Sequence, residues 1–164
     1  MHKKSIKVTK GTGTGATRLA AFDHALEVAG ISNYNLIPLS SVIPTGYEVA
    51  LGQLEKKPNE FGHKLYVVIA EERVDELGKE AWAGLGWVMR KGSASSADNG
   101  GLFVEHHGHS EEEVKNLITN SLESMKERRE EEYGEIQMEV AGVECVLDPV
   151  CALVAAVYQS DGWR

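Results

Sequence analysis

The apolar positions of this chain fall mostly into short runs, which are typical of β-strands. The clearest run is LYVVIA at residues 65–70, where no charged residue interrupts the apolar ones, so a buried strand is predicted. Only Asp148 and Pro149 separate the last two runs, which predicts an antiparallel hairpin. Besides residues 65–70, the predicted strands are residues 6–9, 35–39, 84–90, 102–105, 135–147 and 150–159.

Two stretches carry apolar residues at helical spacing instead. Residues 17–29 predict a helix that ends at Gly30 as its C-cap. A second helix is predicted from Ser110, with Glu113 completing a capping box, to about residue 132. A third, short helix or helical turn is predicted at residues 76–83. The residues expected to face inward are Leu19, Phe22, Leu26 and Ala29 in the first helix and Val114, Leu117, Ile118, Leu122 and Met125 in the second.

The order of these elements is strand, helix, several strands, helix and two strands. That order indicates an α/β (α+β) fold, a layered α/β/β/α sandwich with mostly antiparallel or mixed sheets. No linker-like segment divides the 164 residues, so we expect residues 1–164 to form a single domain.

Charge and composition narrow the functional classes. The net charge is −8, and a main role in binding nucleic acid needs clustered basic residues, so that role is not expected. No apolar run is long enough to cross a membrane or to form a signal peptide, and we expect no membrane association. Cys145 and Cys151 do not have a metal-ligand spacing and are predicted to be small core residues. We therefore expect a cytoplasmic protein without a disulfide framework.

Several segments carry residues that could do chemistry. The glycine-rich residues 11–15 resemble part of a phosphate-binding loop but lack its Lys-Ser/Thr ending, which favours a mobile connection. His106, His107 and His109 have no fixed metal-binding geometry, so solvated histidines are favoured over a metal site. The acidic run at residues 111–135 is interpreted as a solvated helix face, with a partner-binding surface as the alternative.

Glu105 closes an apolar predicted strand. Apolar neighbours would desolvate its carboxylate, raise its pKa and suit it to donate a proton; the alternative is a surface glutamate. Asp23, on its own, is an exposed helix carboxylate. Ser40 and Ser41 lie between a short strand and the sequence Val-Ile-Pro, where a tight bend is expected.

At these residues the chain resembles the pyruvoyl-dependent arginine decarboxylases. The most specific matches are AFDHAL at residues 21–26, AGI at 29–31 and NLIPLSSVIP at 35–44. Looser matches are GLFVE at 101–105 and the alanine-rich run at 152–158. The chain departs from the family pattern at Pro38, in the histidine-rich stretch after Glu105 and in residues 48–62.

The resemblance implies that the chain cleaves itself between Ser40 and Ser41. The products would be a β chain of residues 1–40 and an α chain of residues 41–164. Ser41 would become a pyruvoyl group at the new amino terminus. Such a group replaces pyridoxal phosphate as the electron sink of a decarboxylase, and no metal is expected.

By the same resemblance, the reaction is the decarboxylation of L-arginine to agmatine and CO₂. Glu105 is the expected proton donor to the α-carbon, and Asp23 the expected partner of the substrate guanidinium. Asn35 corresponds to a family asparagine near the cofactor. The family also implies a homo-oligomer, a trimer or a hexamer, with sites at subunit interfaces.

Three alternatives stay open at this point. The same chemistry could act on another amino acid, with Asp23 as the feature that argues for a cationic side chain. The chain could be an unprocessed, non-catalytic assembly subunit. A metal-binding protein built on the three histidines is a third alternative.

Overall fold

A computed structural model describes residues 4–92 and 99–164 of the chain. In chain order the elements within these residues are β1 (Lys4–Thr14), α1 (Arg18–Ala29), β2 (Asn35–Pro38), β3 (Val42–Ile43), β4 (Tyr47–Leu51), a 3₁₀ turn (Pro58–Glu60), β5 (Lys64–Val74), β6 (Glu80–Met89), β7 (Gly101–Gly108), α2 (Glu111–Glu127), β8 (Gln137–Glu144) and β9 (Val150–Asp161). The loop predicted between residues 92 and 101 lies largely in residues 93–98, outside the described part of the chain.

The strands form two sheets. The first has the order β2-β5-β9-β1-β4, and the second has the order β3-β7-β6-β8. Strand β1 pairs with β4 in parallel and β2 pairs with β5 in parallel, whereas the remaining pairs are antiparallel. The prediction of mixed, mostly antiparallel sheets is confirmed.

Three apolar clusters hold these sheets and helices together as layers. The largest lies between the sheets, where Val68 and Val154 of the first sheet share a cluster with Leu85 and Phe103 of the second. On the outer face of the first sheet, Leu65, Val67 and Leu153 pack against α1. On the outer face of the second sheet, Val88, Leu102 and Val104 pack against α2. The α/β/β/α sandwich predicted from the sequence is therefore the observed fold.

The glycine-rich stretch is a strand, and the predicted mobile connection is wrong. Residues 11–14 continue β1 and pair with β9. A side chain at Gly11 would collide with the carbonyl oxygen of Ala25 and lie 2.9 Å from the nitrogen of Ala29. These glycines let the backbone of α1 approach the strand closely, which is a packing role and not a phosphate-binding one.

Helix α1 occurs where it was predicted, with Thr17 as its N-cap and Gly30 as its C-cap in the left-handed conformation. Its buried residues are Ala21, Ala25, Leu26 and Ala29, so the predictions for Leu26 and Ala29 are confirmed, whereas Phe22 is only partly buried. Leu19 is 66 % exposed. Close approach to β1 favours small residues under the helix, so Ala21 and Ala25 lie on its inner face and Leu19 does not.

Helix α2 begins at the predicted cap, with the Ser110 hydroxyl accepting a hydrogen bond from the backbone N–H of Glu113 at 3.1 Å. Glu111, Glu112 and Glu113 are exposed, as expected for a solvated face. The helix ends at Glu127 and not near residue 132. Beyond it the chain turns to the end of β6, where Lys91 N–H donates to the Glu132 carbonyl at 2.8 Å.

Two further predictions about secondary structure are wrong. The short helix or helical turn predicted at residues 76–83 is instead a turn with Gly78 at a φ of 83°, followed by β6 from Glu80. The predicted hairpin does not form, because β8 pairs with β6 in the second sheet while β9 lies between β5 and β1 in the first. The chain therefore crosses between the sheets at residues 145–149.

Cys145 begins this crossing and Cys151 follows it; both are free cysteines, and both are buried, as predicted for small core residues. Burial raises the pKa of the Cys151 thiol to about 12, so it is protonated at neutral pH. Within the described residues, no helix is both long enough and apolar enough to cross a membrane.

The close approach of α1 to β1 predicts that Gly11→Ala destabilises the protein. Because the neighbouring backbone must move, the free energy of unfolding should fall by about 1–3 kcal/mol. Urea unfolding followed by circular dichroism measures this change. Gly52→Ala is the matched control, since the atoms nearest to its new methyl group lie 3.8–4.0 Å away on the flexible Lys7 side chain. Equal stability of the two variants would contradict this account of the packing.

Candidate active site

The chain crosses from one sheet to the other directly before and at Ser41. On one side, Leu39 N–H donates a 2.8 Å hydrogen bond to the Val67 carbonyl of β5 in the first sheet. On the other side, Val42 pairs with Leu102 of β7 in the second sheet. Residues 40 and 41 therefore span the two layers, which is the tight bend that the sequence predicted.

Ser41 adopts a strained backbone conformation at this crossing. Its φ is 74°, in the left-handed region that non-glycine residues rarely occupy. Such a conformation costs of order 1–3 kcal/mol and persists only where the surroundings hold it. The backbone N–H of Phe103 donates a 2.9 Å hydrogen bond to the Ser41 carbonyl. Ser40, the preceding residue, is exposed.

Glu105 lies beside Ser41, with the Ser41 hydroxyl donating a 2.8 Å hydrogen bond to Glu105 Oε2. The alternation of β7 explains this contact, because Leu102 and Val104 face α2 while Phe103 and Glu105 face the other sheet. The predicted strand end is wrong, because β7 continues to Gly108. Of the two alternatives for the Glu105 side chain, the surface glutamate is the one observed in the single chain, where Glu105 is exposed.

Tyr158 is a third residue at this crossing, and sequence analysis did not identify it. Its hydroxyl donates a 2.8 Å hydrogen bond to the Val42 carbonyl. Its ring packs against Phe103 with the centroids 6.3 Å apart. Burial, aided by the charge of Glu105, raises the pKa of the Tyr158 phenol, so it remains a neutral donor. A tyrosine at the end of an otherwise alanine- and valine-rich strand was the signal available in the sequence.

Asp23 does not lie in this cluster. It is exposed on α1, which covers the outer face of the first sheet, whereas Glu105 faces the space between the sheets. Among residues 4–92 and 99–164, Asp23 has no hydrogen-bond or ion-pair partner. Within the described residues this carboxylate is therefore exposed and unpaired.

Asn35 also lies apart from Ser41 within one chain. It begins β2, and its side-chain amide donates a 2.9 Å hydrogen bond to the Gly62 carbonyl. Ser41 follows the other end of β2. A strand rises about 3.3 Å per residue, so the four residues of β2 hold the two sites roughly 10 Å or more apart.

The three histidines point to three different partners. His106 Nε2 lies 2.7 Å from Ser121 Oγ, His107 Nδ1 lies 2.6 Å from Glu72 Oε2, and His109 Nδ1 lies 3.2 Å from the Glu80 carbonyl. The described part of the chain contains no group of three or more side chains able to hold a metal ion. His107 and His109 are exposed as predicted, but His106 is half-buried, and this burial lowers its pKa.

Together, the fold and the crossing define a class: a two-sheet α/β/β/α domain with a strained serine next to a carboxylate at a sheet-to-sheet crossing. Comparison with known proteins identifies the family. The family model described as pyruvoyl-dependent arginine decarboxylase matches residues 5–161, and the chain belongs to that family. The resemblance seen in the sequence is thus confirmed.

Individual relatives agree with this assignment. The pyruvoyl-dependent arginine decarboxylase of Thermococcus kodakarensis is 34 % identical over 155 residues, covering 94 % of each chain. That of Pyrococcus abyssi is 35 % identical over 158 residues, covering 94 % of this chain and 93 % of the relative. That of Halobacterium salinarum is 38 % identical over 100 residues, covering 61 % of this chain and 58 % of the relative.

Proposed function

We propose that this chain is a pyruvoyl-dependent arginine decarboxylase that converts L-arginine to agmatine and CO₂, after cleaving itself between Ser40 and Ser41. One observation supports the proposal most strongly: Ser41 combines a left-handed backbone with a hydroxyl bonded to Glu105, at the serine that matches the family motif. The family and the names of the relatives support arginine as the substrate.

Cleavage starts when Ser41 Oγ attacks the carbonyl carbon of Ser40. The bond from that carbon to the Ser41 nitrogen breaks, and the nitrogen takes up a proton, so an ester replaces the amide. Loss of the Ser41 α-proton and rupture of the Cβ–Oγ bond then release residues 1–40 with a free carboxylate. The dehydroalanine left at position 41 adds water and loses ammonia, which produces the pyruvoyl group.

The surroundings of Ser41 suit both its cleavage and the group that results. Glu105 Oε2 orients the attacking hydroxyl at 2.8 Å. The Ser41 carbonyl, which a pyruvoyl group retains, is held by the Phe103 N–H at 2.9 Å. A pyruvoyl ketone supplies a sink for the electron pair that is left when CO₂ leaves the substrate. The described residues therefore fit this group at position 41.

Glu105 has a second role in this proposal. Its carboxyl lies within hydrogen-bond reach of position 41, where the substrate α-carbon must also sit. A carboxylic acid at that point can deliver the proton that replaces CO₂ on the α-carbon. Its exposure in the single chain means that substrate and a neighbouring subunit must exclude water from it.

A second copy of the chain completes the site in this proposal. The exposed carboxylate of Asp23 suits a bidentate pair with the arginine guanidinium, but it lies on a different layer from Glu105. Asn35 is similarly remote from Ser41 in its own chain. A trimer, or a hexamer of stacked trimers, would place these residues beside Ser41 of a neighbour. The two buried free thiols fit a reducing cytoplasm.

Ser41→Ala should remain a single full-length chain without decarboxylase activity, because alanine has no hydroxyl to attack residue 40. Intact-mass spectrometry measures the cleavage, and release of labelled CO₂ from arginine measures the activity. Ser40→Ala is the control, since it keeps the attacking hydroxyl and should still split. A fully active wild type with an intact bond between residues 40 and 41 would refute self-cleavage.

Glu105→Gln should still split but should turn over arginine poorly. The glutamine oxygen can accept the Ser41 hydroxyl hydrogen bond, whereas an amide cannot supply the proton that the α-carbon needs. We expect kcat to fall by about 10²–10⁴-fold, the usual contribution of a general acid. Steady-state kinetics on the fully cleaved variant measures this effect. Near-normal turnover would remove Glu105 from the role of donor.

Asp23→Ala should split normally and lose roughly 10- to 150-fold in kcat/KM for arginine, as expected for the loss of a charge-assisted hydrogen bond. Glu27→Ala is the control, because Glu27 is an exposed carboxylate one turn further along α1.

Co-expression of Asp23→Ala with Ser41→Ala tests whether two chains share one site. Mixed oligomers should regain activity at low arginine, since one interface then combines an intact Ser41 with an intact Asp23 of another chain. No recovery in verified mixed oligomers would place both residues in one chain's site.

A further inference from the structure

The hydroxyl of Tyr158 connects β9 of the first sheet to β3 of the second, next to the bond proposed to break. We propose that Tyr158 is a positioning residue for self-cleavage, because its hydroxyl holds residue 42 so that Ser41 keeps its left-handed conformation. This inference rests on the proposed cleavage at Ser40–Ser41. Tyr158 touches neither the scissile bond nor the attacking hydroxyl among the contacts described, so it acts through the backbone.

Two hydrogen bonds hold the chain just after the scissile bond. The Ser41 carbonyl accepts from the Phe103 N–H at 2.9 Å, and the Val42 carbonyl accepts from the Tyr158 hydroxyl at 2.8 Å. On the other side, Leu39 N–H is bonded to Val67 at 2.8 Å. The peptide units on either side of Val42 are thus both fixed, and Ser41 cannot relax by rotation of its neighbour.

Side-chain packing does not replace this restraint. The Val42 side chain is 58 % exposed, and β3 contains only two residues paired to β7 at the edge of its sheet. A short edge strand of this kind frays easily unless another contact holds it. The Tyr158 hydroxyl is that contact on the side facing the first sheet.

The position of the Tyr158 ring makes the hydroxyl a rigid donor. The ring packs against Phe103, whose own ring contacts Trp87 at a centroid distance of 5.9 Å. This aromatic row lies in the apolar layer between the sheets. The layer fixes where the hydroxyl points, so removing the oxygen alone leaves the packing unchanged and frees the Val42 carbonyl.

Tyr158→Phe removes only this oxygen. Full-length chains are made by cell-free synthesis with a labelled pulse, and the split into residues 1–40 and 41–164 is followed during the chase. We expect the rate of cleavage to fall by roughly 2- to 12-fold, the equivalent of one ordinary hydrogen bond. Tyr34→Phe is the matched control, because it also deletes a tyrosine hydrogen bond, the 2.6 Å contact with Glu60, away from the crossing.

Three measurements separate the outcomes. Thermal unfolding of Tyr158→Phe and Tyr34→Phe, each combined with Ser41→Ala so that the chain cannot cleave, shows whether the two tyrosine substitutions lower stability to a similar extent. If they do, slow cleavage in Tyr158→Phe alone supports positioning. Equal slowing of cleavage in both single variants overturns it. Hydroxylamine splits any accumulated ester, so cleavage restored to the wild-type rate by this reagent would show that the attack is unimpaired and would also overturn the inference. A wild type that never cleaves refutes the proposed function itself, whereas a wild-type rate in Tyr158→Phe refutes only the role of Tyr158.

Discussion

The short crossing between the two sheets at residues 39–41 is the constraint on which the candidate site depends. Leu39 is bonded to β5 in one layer and Val42 is paired with β7 in the other. Since so few residues span the layers, Ser41 is held in a backbone conformation that a serine does not favour. The packing of the two-sheet core therefore maintains the strained conformation of Ser41, next to the bond that we propose to break.

The rest of the fold makes that crossing rigid. Apolar residues from both sheets fill the space between them, and the aromatic row of Trp87, Phe103 and Tyr158 lies in this layer beside the crossing. Phe103 contributes its backbone N–H to Ser41 as well as its ring to the core. Core packing and active-site geometry thus share the same residues at this edge of the sandwich.

The single chain holds only part of the proposed site. Ser41 and Glu105 meet within hydrogen-bond distance, whereas Asp23 and Asn35 lie elsewhere on the same molecule. In the proposed oligomer, one chain supplies the strained peptide and its carboxylate neighbour, and a neighbouring chain supplies the groups proposed to recognise the substrate. The exposure of Glu105 in the single chain agrees with this proposal, in which a second copy covers that surface.

The amino-acid sequence alone determined the layered class of the fold, both helix starts, most strands and the family, because these depend on local periodicity, on capping residues and on a specific motif around Ser40–Ser41. Tertiary structure alone decided that Gly11 and Gly13 lie in a strand beneath α1, because only the approach of a helix reveals why a side chain is excluded there. It also decided that β8 and β9 belong to different sheets, since a short connection around Asp148 and Pro149 looks the same whether the next strand pairs with its neighbour or crosses the core. The contacts of Ser41 with Glu105 and of Val42 with Tyr158 join residues 64 and 116 positions apart, and such pairings arise from the packing of two sheets, which no local pattern encodes.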